Sequence, residues 1–436
     1  MTGLIAVGAG FLLAWSFLRL KRIASVGCAY KAKALCSALF VSGLELNPDE
    51  APEVSDEAYR LMRLFGAVVD RDKKTVTVSL CGLQPRVAAW RPGYGAALID
   101  GRFPTAFAAS HCARSAELPS SERPELSAIL DAAMTEPGPR LRRTRALLVV
   151  QDGVVVGERY AGGISANTPL NGWSMTKSVM GALIGTLVKD GRLALTNRNL
   201  LAEWNGDARA GISLEDLLRM RSGLRFSEVY SDPLSDVTRM LFDGYDAGGF
   251  AASRPLEHPP GSFWKYSSGT TNILSLIARR AVGEADYPSW PRRALFDPLG
   301  MESAVFETDA SGTFVGSSFL FATARDWARF GLLYEGGGDG VLPAGWAAFG
   351  ASPTPQAPNG RYGAHWWLKL SKELGGETPG ASAIPGDAFH ALGHEGQCLS
   401  VIPSRRLVVV RLGLSIDIKA WDHAKFLAEL LAALPA

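Results

Sequence analysis

Ser174 and Lys177 stand three residues apart at the head of "GWSMTKSVMGALIGTLVKDG" (172–191), a segment otherwise almost wholly apolar. On a helix that spacing places both side chains on one face. A serine hydroxyl alone is a weak nucleophile and needs an adjacent base. Lysine supplies one if burial or a neighbouring cation lowers its pKa enough to leave it neutral. The unpaired amides and positive dipole end of a helix's first turn would also stabilise negative charge on an attacking oxygen or a substrate oxyanion. The chemistry is nucleophilic attack by Ser174 with an amine at hand. For Ser174 alone, an N-cap serine beside a solvated lysine is an equal reading. A second Ser-x-x-Lys, Ser262 to Lys265, follows Pro259-Pro260-Gly261 in a loop with no buried helix behind it and is read as structural.

Several elements must position this pair. Val179, Met180, Leu183, Ile184, Leu187 and Val188 recur at helical spacing, and Lys189-Asp190-Gly191 supplies a stop, which predicts a helix over 174–190. "WKYSSGTTNILSLI" puts Tyr266-Ser267-Ser268 just ahead of an amphipathic helix, and "LGHEGQCLSVI" puts His394-Glu395-Gly396-Gln397 at the entry to a strand. "ALLVVQ" (146–151) and "VVVGERY" (154–160) flank Asp152-Gly153, a strong hairpin signal. A matching hairpin joins 398–403 to 407–413, and 421–434 closes the chain as an apolar helix. Strands at both ends of a domain with helices between them predict an α+β fold. Its antiparallel sheet is built from both ends and flanked by helices, beside a mostly helical subdomain, with the site in the cleft between.

The whole chain adds boundaries. At 436 residues and 47% hydrophobic it can form two or more packed units. Lys plus Arg at 45 against Asp plus Glu at 43 leaves +2, so no global field points to nucleic acid. Cys28, Cys36, Cys81, Cys112 and Cys398 show neither CxxC pairs nor histidines at ligand spacing, which argues against a zinc site or a disulfide scaffold. Gly3 to Leu18 is uncharged and is followed by Arg19, Lys21 and Arg22. As a helix it reaches roughly 24 Å, a little short of the ~30 Å hydrocarbon core. With no basic residues ahead of it and no small-residue cleavage site after it, it reads as a membrane anchor over 1–22 rather than a secretory signal; a buried or interfacial helix is the alternative. Residues 23–140 are expected to form a mixed extension, with strands near 75–80 and 94–99 and a Pro-, Ser- and charge-rich linker around one short helix over 116–140. The main domain is placed at 141–436.

Ser174-Met-Thr-Lys177, Tyr266-Ser-Ser268 and His394-Glu-Gly396, in this order and at these separations, resemble the three motifs of the serine β-lactamase and penicillin-binding protein superfamily. Within it the chain is similar to the class C and esterase branch, and in particular to the 6-aminohexanoate-dimer hydrolases. "GWSMTKSV", "YSSGTTNIL" and "GHEGQ" carry that likeness, supported by "LLRMRSGL" (217–224), "PLGM" (298–301) and "ATARDWARFGLL" (322–333). The resemblance implies a serine hydrolase that cleaves a small-molecule amide or ester through an acyl-enzyme on Ser174, without metal or cofactor. Lys177 and Tyr266 would share the proton traffic. The oxyanion hole would be the backbone N–H of Ser174 and that of Gln397 on the edge strand, where Gly396 allows close approach. Ser268 would hydrogen-bond Lys177 or substrate.

His394 stands where β-lactamases and transpeptidases usually hold a lysine. An imidazole is mostly neutral near pH 7, which favours linear amides or esters over penicillin-like carboxylates; alternatively the ring braces the strand. The loop "SGLRFSEVYSDP" (222–233) follows a capping-box-like Ser213-x-x-Asp216 and resembles a substrate-covering segment. There Asp232, with Glu228 second, would meet a substrate ammonium. Trp366 and Trp367 either line the cleft or belong to the core. Two other functions stay open: a D-alanyl-D-alanine carboxypeptidase or β-lactamase, and a membrane-tethered sensor that acylates without turning over. The basic residues after the apolar run favour a cytoplasmic C-terminal side, whereas the resemblance implies a periplasmic domain on the inner membrane.

Overall fold

A computed structural model describes residues 2–55, 61–99, 116–338 and 340–435, with side chains from residue 14 onward. Its first element is a single helix, α1 (Thr2–Phe40), followed by a four-stranded antiparallel sheet of β1 (Phe65–Asp70), β2 (Thr75–Leu80), β3 (Leu83–Arg91) and β4 (Gly95–Ile99). Next come α2 (Pro124–Met134), β5 (Thr144–Gln151), β6 (Val154–Tyr160), α3 (Thr176–Lys189), α4 (Ser268–Val282) and α5 (Ala324–Glu335). The chain ends with β7 (Phe389–Gly393), β8 (Gln397–Ile402), β9 (Leu407–Gly413) and α6 (His423–Ala433). Cys112 lies outside the described residues.

The main sheet runs β7-β8-β9-β5-β6, antiparallel throughout. Asp152 and Gly153 both hold positive φ, 53° and 75°, as a two-residue hairpin turn requires. The two hairpins join where β9 pairs β5, with Val409 opposite Val149. Alternate residues serve two cores. Leu148, Val150, Val408 and Val410 face inward, toward α3 and α5, while Leu147, Val149, Leu407 and Val409 pack beneath α2 and α6. A sheet covered on both faces explains why these strands read as unbroken apolar runs.

Two boundaries differ from the sequence reading. The stretch expected as a linker is part of the sheet domain: Leu126 and Leu130, one helical turn apart on α2, are fully buried. Just before α2, Ser121 and Arg123 donate backbone hydrogen bonds to Val155 and Val156 of β6 at 2.9 and 2.8 Å. At the N-terminus no break separates anchor from extension, because Arg19, Lys21 and Arg22 ride on one continuous helix. Residues 14–22 of α1 are exposed, whereas Cys28, Ala29, Ala32, Leu35 and Cys36 are at 0% exposure against the sheet β1–β4. From Ala14 to Phe40 the helix is long and apolar enough to cross a membrane, yet 67% of its apolar window is buried.

The N-terminal unit is locked to the rest of the chain by a buried ion pair. Lys33 of α1 contacts Glu307, with side-chain exposures of 5% and 0%. Glu307 also accepts from the Ala96 N–H at 2.6 Å and the Ser37 hydroxyl at 3.0 Å. Replacing Lys33 by methionine leaves that carboxylate buried without its cation, a defect that costs about 3–5 kcal/mol. K33M is expected to lower the urea midpoint accordingly at unchanged m-value, and the double variant K33M/E307M to recover much of the loss.

Candidate active site

The sequence places Ser174 at a helix start, but regular α3 begins only at Thr176. Ser174 sits in a single 3₁₀ turn, Trp173–Met175, stacked on its end. The cause is Trp173, whose φ of +48° is a left-handed conformation that costs a bulky residue of order 1–3 kcal/mol. Three contacts hold it there. The Trp173 N–H donates to Asn171 Oδ1 at 2.9 Å, its indole N–H to Glu395 Oε2 at 3.1 Å, and the Gly172 N–H to the Leu320 carbonyl at 3.0 Å. Gly172 must lack a side chain, since a Cβ would lie 2.2 Å from the Trp327 ring.

Lys177, one turn into the helical stack, is 1% exposed. Its Nζ lies 2.9 Å from Ser174 Oγ, 3.0 Å from Ser268 Oγ and 2.9 Å from the Ser317 carbonyl. The partners fix the direction of each bond. The Ser317 carbonyl can only accept. Ser268 donates its hydroxyl proton to Glu228 Oε1 and its N–H to Glu228 Oε2 at 2.8 Å, so its oxygen is left to accept from Lys177. The ammonium donates to all three oxygens; once neutral, with two N–H groups and one lone pair, the amine would keep its protons on these two acceptors and turn the lone pair to the Ser174 hydroxyl. Burial favours that form, lowering the Lys177 pKa to about 8, with the charge of Glu228 opposing.

Tyr266 completes the group. Its hydroxyl is near enough to Ser174 to be acidified by it, and Lys177 Nζ lies 4.9 Å from its ring centroid. Burial, with Tyr362 and Glu228 nearby, raises its pKa well above that of free tyrosine. The ring packs on Trp367 at 5.2 Å and Tyr362 at 6.0 Å. The tryptophan pair is therefore split: Trp367 backs Tyr266, while Trp366 is at 0% exposure in the core.

The remaining sequence candidates divide. Gln397 opens β8, which is second from the edge; the edge strand is β7, against the earlier expectation. The Gln397 side chain is structural, donating to the Gly413 carbonyl at 2.6 Å and accepting its N–H at 2.8 Å. Gly396 owes its identity to φ +80° and to the buried Arg411, whose Nη1 would lie 2.5 Å from a Cβ there. His394 stacks on Tyr230 at 5.1 Å and 14° and meets Trp173 edge-on at 5.4 Å. Asp232 is not brought to the group: it is exposed and caps its own turn, accepting from Leu234 N–H at 2.9 Å. Glu228 from the same loop reaches Ser268 instead, and Tyr230, two residues on, places its hydroxyl against Ser268 and Ser318. Sequence reasoning missed Tyr230 and the Ser317 carbonyl. Neither carries a local signal, because each is brought in by a loop. The second Ser-x-x-Lys is structural as read, with Ser262 turning back onto the Pro259 carbonyl and Lys265 pairing Glu257 on the surface.

The model of the β-lactamase family matches residues 132–413. The chain belongs to the β-lactamase family. It is 28% identical over 297 residues to the 6-aminohexanoate-dimer hydrolase of Paenarthrobacter ureafaciens, covering 62% of this chain and 72% of that protein. A candidate 6-aminohexanoate-dimer hydrolase from Bacillus anthracis superposes with a TM-score of 0.58 at 23% identity, over 75% of this chain and 91% of the other. EstCE1, a hydrolase with promiscuous acyltransferase activity, superposes at 0.56 and 16% identity over 71% and 97%. The two superpositions show the β-lactamase/transpeptidase-like fold, and the family assignment makes this chain a serine hydrolase, in which acyl-enzyme chemistry is typical.

Below the Lys177 pKa the amine is protonated and cannot accept a proton. Fluorophosphonate labelling of Ser174 is therefore expected to slow by about tenfold per pH unit below that point, with a midpoint near pH 8. The Glu228 charge raises the Lys177 pKa, so E228Q is expected to move the midpoint to lower pH; a stationary midpoint would show the two groups to be uncoupled.

Proposed function

We propose that Ser174 attacks the carbonyl of a linear amide or ester, that Lys177 takes its proton, and that Tyr266 hands a proton to the leaving group before water releases the acyl chain. One observation carries this reading: the buried Lys177 amine lies 2.9 Å from Ser174 Oγ, and its other two partners, Ser268 Oγ and the Ser317 carbonyl, would take both protons of the neutral form. Tyr266 suits the donor role because burial keeps its phenol protonated beside the nucleophile. The backbone N–H groups of Ser174 and Gln397 are proposed as the oxyanion hole. The β7–β8 hairpin supports it by abutting the nucleophile's turn: a Cβ on Gly393 would lie 2.2 Å from the Gly172 carbonyl. A donor of this kind is worth roughly 2.7–4 kcal/mol in a transition state.

The substrate class follows from His394, which offers no fixed cation for a penicillin-like carboxylate, and from the named activities of the dimer hydrolase and the esterase-like neighbour. We further propose that residues 1–22 seat the chain in the inner membrane with the catalytic domain on the periplasmic side. Trp15, Phe17, Leu18 and Leu20 support this, since all are exposed and uncovered by the fold.

Intact-mass spectrometry across p-nitrophenyl esters, nitrocefin and short linear amides tests the reading. The wild-type chain is expected to show an acyl adduct and many turnovers with esters or linear amides, and S174A neither, with its thermal unfolding unchanged. K177A and Y266F should each lower turnover by orders of magnitude. An adduct persisting in S174A rejects the nucleophile; a single equivalent of p-nitrophenol without further release makes the chain a one-shot sensor.

A further inference from the structure

A cavity of about 480 Å³ lies between α1 and the catalytic body, in the range of small-molecule sites. Its apolar wall is formed by Ile23 and Val26 of α1 with Met62 and Phe65, and its far wall by Tyr230 and His394. That far wall belongs to the reaction centre. The Tyr230 hydroxyl lies near Ser268, and the His394 ring lies against Trp173, the residue before Ser174. Tyr266 is not among the lining residues. Ser174 and Lys177 are not among them either, so the cavity meets the reaction centre through Tyr230, His394 and Glu395. At its other end the cavity is lined by Ile23, less than one helical turn after Leu20, which with Trp15, Phe17 and Leu18 is an exposed apolar residue in the described part of α1.

We propose that this cavity receives the aliphatic acyl chain of a membrane-resident ester or amide, delivered along the same helix that seats the protein in the bilayer. The inference rests on the serine hydrolase reading above and names its substrate class. Ser174 Oγ bonds the acyl carbon, the bond to the alcohol or amine breaks as that group gains the proton lost by Ser174, and water then releases the free carboxylic acid and restores the hydroxyl. Lys21 and Arg22 stand between the exposed apolar turn and the cavity, placing a charged collar at its lipid-facing end.

The full-length protein, reconstituted in phosphatidylcholine vesicles, is offered p-nitrophenyl acetate, octanoate and dodecanoate. kcat/KM is expected to rise by about tenfold or more from the acetyl to the long-chain esters, since each buried methylene contributes a severalfold preference. Ile23→Trp and Met62→Trp, which fill the cavity from two different elements, should bring the long-to-short ratio down toward one, with fluorophosphonate labelling of Ser174 confirming that each variant is folded. A flat or inverse chain-length profile in the wild type, or an unchanged ratio in both variants, overturns the inference. Cleavage of none of the esters would instead overturn the hydrolase reading.

Discussion

The organisation of the site depends on one buried amine. Lys177 is taken out of water by α3, α4 and the loop that carries Ser317, and that desolvation is what makes its ammonium group easier to deprotonate. A lowered pKa alone would leave the lone pair undirected. Direction comes from two acceptors with no other choice: a carbonyl, and a serine whose own proton is committed to Glu228. Asn272 of α4 steadies the first by accepting from the Ser317 N–H at 3.2 Å and donating to its hydroxyl at 3.1 Å. The second is steadied by the Ser268 N–H, bonded to the same carboxylate. The polar network is satisfied around the amine, the condition under which such a network gives a unique arrangement rather than a cost.

The scaffold serves that arrangement by bringing distant segments to one place. The sheet is closed by β5 and β9, from opposite ends of the catalytic domain, and its β7–β8 hairpin presses on the turn before Ser174. Trp173 is held left-handed from that hairpin by Glu395 and from within its own turn by Asn171. Strain at the residue before Ser174 is thus over-determined by tertiary contacts, the circumstance in which it persists. The N-terminal unit belongs to the same assembly. Its helix buries Lys33 against Glu307 and lines a cavity whose far wall is the His394–Tyr230 stack.

Much of this was legible in advance because it rests on local rules. The Asp152-Gly153 turn, the capping box at Ser213 and Asp216, and the helical period after Ser174 each follow from a few neighbouring residues. The trio of Ser174, Lys177 and Tyr266 was legible as an ordered set of motifs. Three expectations did not carry through. The stretch 116–140 was expected to be a linker around one short helix because it is rich in Pro, Ser and charge, yet Leu126 and Leu130 bury that helix against the sheet. Asp232 was preferred over Glu228 as a substrate contact, and only the path of the loop decided which carboxylate enters the site. The edge position fell to β7, a short strand with no clear alternation of its own.

By itself the sequence determined the residue types that can do the chemistry and the local elements that carry them, because helical period, turn residues and caps act over a few positions. Tertiary structure alone decided the lowered pKa of Lys177, the three partners of its amine, the partner of Ser268 and the cavity beside α1. Desolvation and hydrogen-bond direction are set by groups far apart in the chain, and no local pattern encodes how those groups meet.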